Sequence, residues 1–417
     1  MIYSKSILKV LLNLLSILSN GLLFVAKTLV SVVLLVFTIV SLFYVRTDIY
    51  NFPGKMSFNG SFYYNPYNLK EQKTLKCNFH AHTNAWKGVT NGMSTDQELV
   101  KVYRDHQYNV IGISNYHRIS NYRSSVNPLH VNVYEHGYNP LKSHLLVLNS
   151  QSVNYFDFPV FQSTHHQQKI INEVSQNNAL IALAHPDFGG GRSYADFEKL
   201  TNYQFIEVLN HYRNSQKYWD FALSAGRLSW ALGNDDIHDP KEEAACKIFT
   251  IVLINGKATK KNLLTSMKKG THYCVKTTYG NSENSLKTCE VDKGGKIHVT
   301  FSKKANKIAF IGKNGEVKLQ VERSDYAEYE IKSEDPYIRV ICTNDCSEIY
   351  LNPIVRCQNP DTNPMSLQKK ATLNLPLTII AKLIFIALSL TLLVLNIRLI
   401  KRMFRETSRK VISTKTI

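Results

Sequence analysis

The hydrophobic pattern divides the chain into a mixed, β-rich middle and two apolar ends. Residues 28–45 form an uncharged, mostly apolar run of 18, and residues 375–397 form a longer one broken only by Lys382 and a few polar side chains. Each is near the ~20 residues that cross a bilayer as a helix. Upstream, Lys5, Lys9, Asn13, Ser16 and Asn20 recur every three or four residues among Leu, Ile and Val, which makes one polar stripe along a helix. That stripe predicts either an amphipathic segment over 1–27 lying in the interface or a second span completing a hairpin. A cleaved signal peptide does not fit, because the apolar region is too long and no small-residue cleavage site follows it.

Between the ends, apolar β-prone runs alternate with segments of helical period. Strands are predicted near 75–80, 109–114, 144–149, 180–184, 204–208, 229–233 and 247–253. Helices are predicted over 95–106, 165–177, 216–225 and 259–269, the last closed by Gly270. Such alternation implies parallel β/α units. Beyond residue 290 the texture changes to short runs at 297–301, 308–311, 317–321 and 337–340, with Asn314-Gly315 as a hairpin turn. The expected order is an interfacial segment 1–27, a span 28–45, a Tyr-, Asn- and Pro-rich lead-in 46–73, an α/β barrel 74–290, a small antiparallel β-sandwich 291–357, a linker 358–374, a span 375–397 and a basic tail 398–417.

Charge changes the picture less than its total implies. Of the net +18, residues 1–45 carry +3 and residues 373–417 carry +7, which leaves +8 for the middle. A modestly basic middle suits an anionic substrate and is thin support for nucleic acid. Arg398, Lys401, Arg402, Arg405, Arg409 and Lys410 mark the tail as cytoplasmic, and Lys5 and Lys9 point the same way for the amino terminus. The middle of the chain is then expected outside the cytoplasm. Seven cysteines between Cys77 and Cys357 fit an exported domain with one or two disulfides among Cys274, Cys289, Cys342, Cys346 and Cys357, with Cys77 a buried core residue.

Candidate chemistry sits where the apolar runs stop. The first run ends in His80 and His82, which share a face of an extended strand and can grip one metal ion. Later runs lead into Tyr116 and His117, into His185, and into Asp235, Asp236 and His238, while Glu135 is followed by a run starting at His144. In closed β/α barrels the carboxyl ends of the strands carry the chemistry. Mixed imidazole and carboxylate ligands suit Zn, Mn or Fe better than Mg or Ca. Two such ions lower the pKa of a water between them and clamp the oxygens of a phosphoryl transfer, so no Ser or Cys nucleophile is required.

The motifs F-H-A-H-T (79–83), I-S-N-Y-H (113–117), Y-E-H-G (134–137), S-H-L-L-V-L (143–148), A-H-P (184–186) and G-N-D-D-I-H (233–238) resemble the PHP (polymerase and histidinol phosphatase) metallo-hydrolase family. The resemblance covers roughly 75–253. It implies a distorted seven-stranded (β/α) barrel with two or three divalent metals. By motif, His80, His82, Glu135 and Asp236 would hold one ion, and Glu135, His144 and His185 a second, with Glu135 bridging. The chain departs from the family after H-x-H-T, where it reads Asn84-Ala85-Trp86-Lys87-Gly88, and at the T-D-H motif, where Tyr116 takes the ligand position and His117 falls one place late. Two metals are therefore expected, with a third in doubt. His238 is then a terminal ligand or an acid/base and substrate contact, and His117 is the alternative ligand.

Glu207 faces either the barrel mouth or a structural partner, Asp235 is a candidate orienter of a ligand histidine, and Arg213 and Lys87 are candidate phosphate contacts. Gly189-Gly190-Gly191-Arg192 lacks the Lys-Ser/Thr of a phosphate cradle and reads as a mobile loop at the mouth. The expected activity is a membrane-anchored, extracytoplasmic phosphoesterase acting on a phosphate mono- or diester, with a lipid-linked or envelope substrate as one possibility and a diffusible one as the other. An amidohydrolase acting on C–N bonds and a degenerate, non-catalytic binding barrel are the rivals.

Overall fold

The computed structural model describes residues 2–68, 73–122 and 126–414. It resolves into two compact units, the terminal segments up to residue 49 and from 373 on, and the unit Tyr50–Thr372.

In the terminal unit, one uninterrupted helix runs Ile2–Tyr44 and another Leu375–Thr414. The first leaves no turn for a hairpin, and it continues through residue 27 without a break into the predicted span. Apolar windows of Val10–Tyr44 and Leu375–Thr407 are each long enough to cross a membrane. The helices lie antiparallel. Ser41 and Ser389 hydroxyls are 2.7 Å apart, Ser31 Oγ donates to Asn396 Oδ1 at 2.6 Å, Lys27 pairs with Glu406, and the Tyr44 and Phe385 rings lie 5.5 Å apart. Small polar residues at the seam let the helices approach closely, a packing mode that lipid-embedded helices use.

The unit Tyr50–Thr372 is mixed α/β with two large sheets. One is five-stranded, in the order Val133–His136, Leu145–Leu148, Leu180–Leu183, Phe205–Leu209, Trp230–Gly233. Its first two pairings are antiparallel and its last two parallel. The other holds Lys73–Asn78 beside Val110–Ile111 in parallel and beside Ile248–Ile254 antiparallel. It continues through His272–Thr277 and Ser347–Leu351 into Tyr337–Thr343, Lys296–Ile311, Val317–Glu330 and Leu286–Val291, all antiparallel.

The seven-stranded (β/α) barrel expected from sequence differs in strand direction, several pairings being antiparallel; neither sheet closes on itself among the described residues, and the Ala81–Ile237 and Tyr116–Glu135 bridges join one to the other. Alternation of apolar runs and helices carries no information on strand direction, and Leu145–Leu148 runs antiparallel to both of its neighbours. The late strands are joined to the sheet of Lys73–Asn78. One apolar core runs from Leu99 and Tyr103 through Ile297 and Phe310 to Ile338, and residue 290 falls within a strand.

All seven cysteines are free and six are buried, so the expected disulfides are not formed. Each of the six lies on a strand or beside one and packs as a small apolar side chain.

Candidate metal centre

The ligand-type residues are placed by strand ends that stop together. The strand Lys73–Asn78 ends before His80, and the extended segment that follows pairs with the segment after Trp230–Gly233. The His82 N–H donates to Ile237 O at 2.8 Å and the Asp236 N–H to His80 O at 2.8 Å. A second bridge, Tyr116 to Glu135, joins the two sheets at the same level. His185 and Asp236 follow their strands with φ of 25° and 54°. Left-handed backbone at a non-glycine residue costs about 1–3 kcal/mol and concentrates at functional sites.

These turns bring His80, His82, Glu135, His144, His185 and Asp236 into one cluster, none more than 5% exposed. His80 Nε2 and His82 Nε2 lie 3.0 and 3.2 Å from Asp236 Oδ1, and 3.4 and 3.1 Å from Glu135 Oε2. The other Glu135 oxygen, Oε1, faces His144 Nδ1 at 2.6 Å and His185 Nε2 at 3.1 Å. One carboxylate therefore stands between two pairs of imidazoles.

The electrostatics favour a cation there. Burial alone pushes the Glu135 and Asp236 carboxyls up, but the facing imidazoles, His144 and His80 for Glu135 and His80 for Asp236, hold both well below the usual range. Burial pushes His80 down, and the carboxylates of Asp236, Glu207 and Glu135 outweigh it and hold the ring well above its ordinary value. His80 Nε2, His82 Nε2, Glu135 Oε2, His144 Nδ1 and Asp236 Oδ1 are all buried without a hydrogen-bond partner. Unpartnered acceptor atoms packed this closely repel one another unless positive charge sits among them. Divalent ions fit that need, and the groups His80–His82–Asp236 and Glu135–His144–His185 each offer three ligand atoms within 4.8 Å of one another.

A third such group, His80–His185–Glu207, is explained differently. Glu207 Oε1 accepts from His80 Nδ1 at 2.9 Å and Asn234 Nδ2 at 2.9 Å, and Oε2 from the His185 N–H at 2.9 Å and Asn210 Nδ2 at 3.1 Å. Both oxygens are satisfied, so Glu207 fixes the His80 tautomer and turns Nε2 into the cluster. Asn210 Nδ2 also reaches Asp236 Oδ2 at 3.1 Å. Asp235, the orienter expected from sequence, points away from the histidines. It accepts from the Tyr103 hydroxyl and the Cys246 and Ile248 amides, each at 2.8 Å, and burial pushes it up to about 7.

Other candidates separate. His117 stays out of the cluster: its Nδ1 bonds to Asn154 O at 3.0 Å and its Nε2 accepts from the Gly137 N–H at 3.1 Å, which leaves no nitrogen for a metal. Tyr116 takes the inner position, stacked on His82 with ring centroids 4.7 Å apart. His238 stacks on the outer side of His82 at 4.3 Å, its Nδ1 3.4 Å from the Tyr212 hydroxyl and its Nε2 buried and unpartnered. Burial, with His82 beside it, pushes His238 down to about 4.

Arg213 is exposed and lies over the Phe188 ring at 5.6 Å, as does Lys142 at 4.7 Å, while Phe188 meets His185 edge-on. Lys87 lines a separate recess with His117, Arg118 and Tyr155. The 189–192 loop is tied down at two points: Arg192 is buried and donates to Ser143 O at 3.1 Å and His144 O at 2.8 Å, and Ser143 Oγ donates to Gly191 O at 2.8 Å. Arg192 thus positions His144, a role that nothing in the Gly-rich run signals.

No family model matches the chain, and no curated protein matches it. Among solved structures it is similar to a two-domain protein from Bacteroides vulgatus containing a predicted PHP-like metal-dependent phosphoesterase. The identity is 11%, the match covers 75% of this chain and 99% of that one, and the TM-score is 0.39. The atoms of the cluster, rather than this likeness, carry the reading that follows.

Proposed function

We propose that the chain is a membrane-anchored, metal-dependent hydrolase that cleaves a phosphate mono- or diester outside the cytoplasm. The observation that carries the reading is the set of buried, unpartnered nitrogen and carboxylate atoms that converge on the two oxygens of Glu135. His80, His82, Glu135 and Asp236 would hold one divalent ion, and Glu135, His144 and His185 the other. Bound there, such ions supply the acidity that makes water a nucleophile at neutral pH.

The remaining groups have work of their own. Glu207, Asn210 and Arg192 fix the ligand side chains. His238, neutral near pH 7, offers an unpartnered Nε2 beside the cluster and can take up or pass on a proton there. Tyr116 closes the inner wall against His82. Arg213 and Lys142, presented over Phe188 at the rim, are placed to meet phosphate oxygens, and a guanidinium does so bidentately.

The cluster lies past the carboxyl ends of Leu180–Leu183, Phe205–Leu209 and Trp230–Gly233. The opposite ends of the strands carry other contacts within the same unit: the Met56 N–H donates to Ala225 O at 3.2 Å, Gln368 Nε2 to Leu228 O at 2.8 Å, and the Ala371 N–H to Thr201 Oγ1 at 2.9 Å.

The test is metal content per full-length chain, with hydrolysis of a generic phosphate monoester and diester in the same samples, for wild type, His80→Ala and Glu135→Ala. About two transition-metal ions, lost from both variants together with activity, is the expected result. A folded chain that binds no Zn, Mn or Fe and hydrolyses neither ester leaves only a binding module.

A further inference from the structure

We infer that a recess at the amino-terminal ends of the strands binds the anionic headgroup of a phospholipid. The inference rests on the reading of Leu375–Thr414 as a membrane span and is independent of the metal centre. The recess has a volume of 370 Å³ and is framed by Lys268, Lys369 and Lys370, with Asn178, Asn202 and Gln204 among its walls. No Asp or Glu lines it. The three lysines are exposed, and among the described residues none of them forms an ion pair. The positive charge of the recess is therefore uncompensated, and the side-chain amides can donate to phosphate oxygens and accept from headgroup hydroxyls.

The lysines are presented from fixed backbone. Asn363 Nδ2 donates to Lys268 O at 2.8 Å, which ties the incoming segment to the end of the helix Lys260–Lys269. Gln368 and Ala371 are pinned on either side of Lys369 and Lys370 by their bonds to Leu228 and Thr201. Lys370 is five residues from Leu375, the first residue of the span, so even a fully extended chain keeps it within about 17 Å of that helix.

A second cleft of 180 Å³ adjoins the first and shares Gln368 and Lys369 with it. Its lining includes Met56 and Leu367, which are 51% and 66% exposed. A basic, amide-lined recess beside an apolar cleft, a few residues from a span, matches an amphiphile with a negative head. A free phosphate ion would leave the apolar cleft unused, and juxtamembrane lysines are drawn to anionic lipid surfaces.

The full chain in neutral detergent, mixed with phosphatidylglycerol or with phosphatidylcholine at equal mole fraction, would be treated with an amine-acylating reagent and its lysines followed by mass spectrometry. Phosphatidylglycerol is expected to slow acylation of Lys268, Lys369 and Lys370 severalfold, phosphatidylcholine not, and the exposed Lys304 is expected to be unaffected by either. In Lys268→Glu/Lys369→Glu the protection of Lys370 should be lost, with metal content unchanged. Equal protection by both lipids, protection by inorganic phosphate alone to the same extent, or no protection would each overturn the inference. Loss of metal binding or hydrolysis in the wild type would bear on the metal centre only, since acylation is read independently of it.

Discussion

Glu207 offers the sharpest test at the scale of single residues, because it touches no atom assigned to a metal. Its four hydrogen bonds hold His80, His185, Asn210 and Asn234 at once. Glu207→Gln puts an NH₂ where one of those donors points, which frees the His80 ring. Metal affinity should fall about 10–100-fold while the fold persists, as read by competition with a chelator of known affinity. Gly137 makes a complementary prediction. At φ 131° its Cβ would stand 2.8 Å from His144 Cδ2, so Gly137→Ala should push His144 off Glu135 Oε1 and lower bound metal from about two ions to one. An unchanged metal count would mean that His144 is not needed.

His80, His82, His185 and Asp236 were legible in the chain because they come just after apolar runs, whereas His144 precedes the run Leu145–Leu148 and Glu135 lies inside the strand Val133–His136, and both were found through the motifs Y-E-H-G and S-H-L-L-V-L. Glu207 stood out as a candidate but its role stayed open, since it sits inside Phe205-Ile206-Glu207-Val208-Leu209, where a buried carboxylate leaves no trace of which donors surround it. His117 misled for the reverse reason: its spacing places it near the motif, and only the Gly137 and Asn154 contacts show that its nitrogens are taken.

Among elements, one buried ion pair joins the helix Gln216–Ser224 to the strand Tyr337–Thr343. Arg339 Nε and Nη2 donate to Asp220 Oδ1 and Oδ2 at 2.9 and 2.8 Å, with the guanidinium 5.1 Å from the Trp219 ring. Asp220→Ala would leave the arginine buried and unpaired, at a cost of about 3–5 kcal/mol, whereas Asp220→Leu/Arg339→Met should recover much of it. Thermal melts of the three proteins decide. A double variant as unstable as the single one would show that the pair contributes more than charge compensation.

A pH dependence follows from His166 and His272. Both are buried and pushed down to about 4 by burial, and His166 Nδ1 accepts from the Ser163 N–H at the start of its helix, so it must be unprotonated. Because the folded pKa lies below the unfolded ~6.5, the unfolded chain takes up the proton first. Stability is therefore full above about pH 6.5 and is lost as pH falls toward 4, by up to about 3 kcal/mol per histidine at 1.36 kcal/mol per unit. His272→Gln should flatten the fall in melting temperature between pH 7 and 5.

The longer helices of the middle and many strands were readable from period and from caps such as Thr95 and Gly270, but the short helix Tyr194–Lys199 and the strands His272–Thr277, Leu286–Val291, Ser347–Leu351 and Ile354–Cys357 were not. Strand direction and the Val133–His136 strand were not. The run Val133-Tyr134-Glu135-His136 carries a carboxylate and an imidazole rather than a continuous apolar stretch, and antiparallel pairing is decided by tertiary contacts.

For the whole molecule, the antiparallel pairing of the terminal helices has a consequence for sidedness. If each crosses once, both chain ends lie on one side and the unit Tyr50–Thr372, which the chain builds between them, lies on the other. Arg398, Lys401, Arg402 and Arg405 follow the apolar part of the second helix, while the only charged residue within residues 375–397 is Lys382, paired with Asp48 at 2.9 Å. Basic residues clustered past one end of a span are retained in the cytoplasm. In sealed vesicles with the outer face exposed, added protease should therefore cut within 50–372 and spare tags at both termini, and inverted vesicles should reverse the pattern. Replacing the four basic residues by glutamate should mix the two orientations. If instead the termini and the central unit were cut from the same side, at least one helix would not cross, and the cluster around Glu135 would have to act in the compartment that holds the tails.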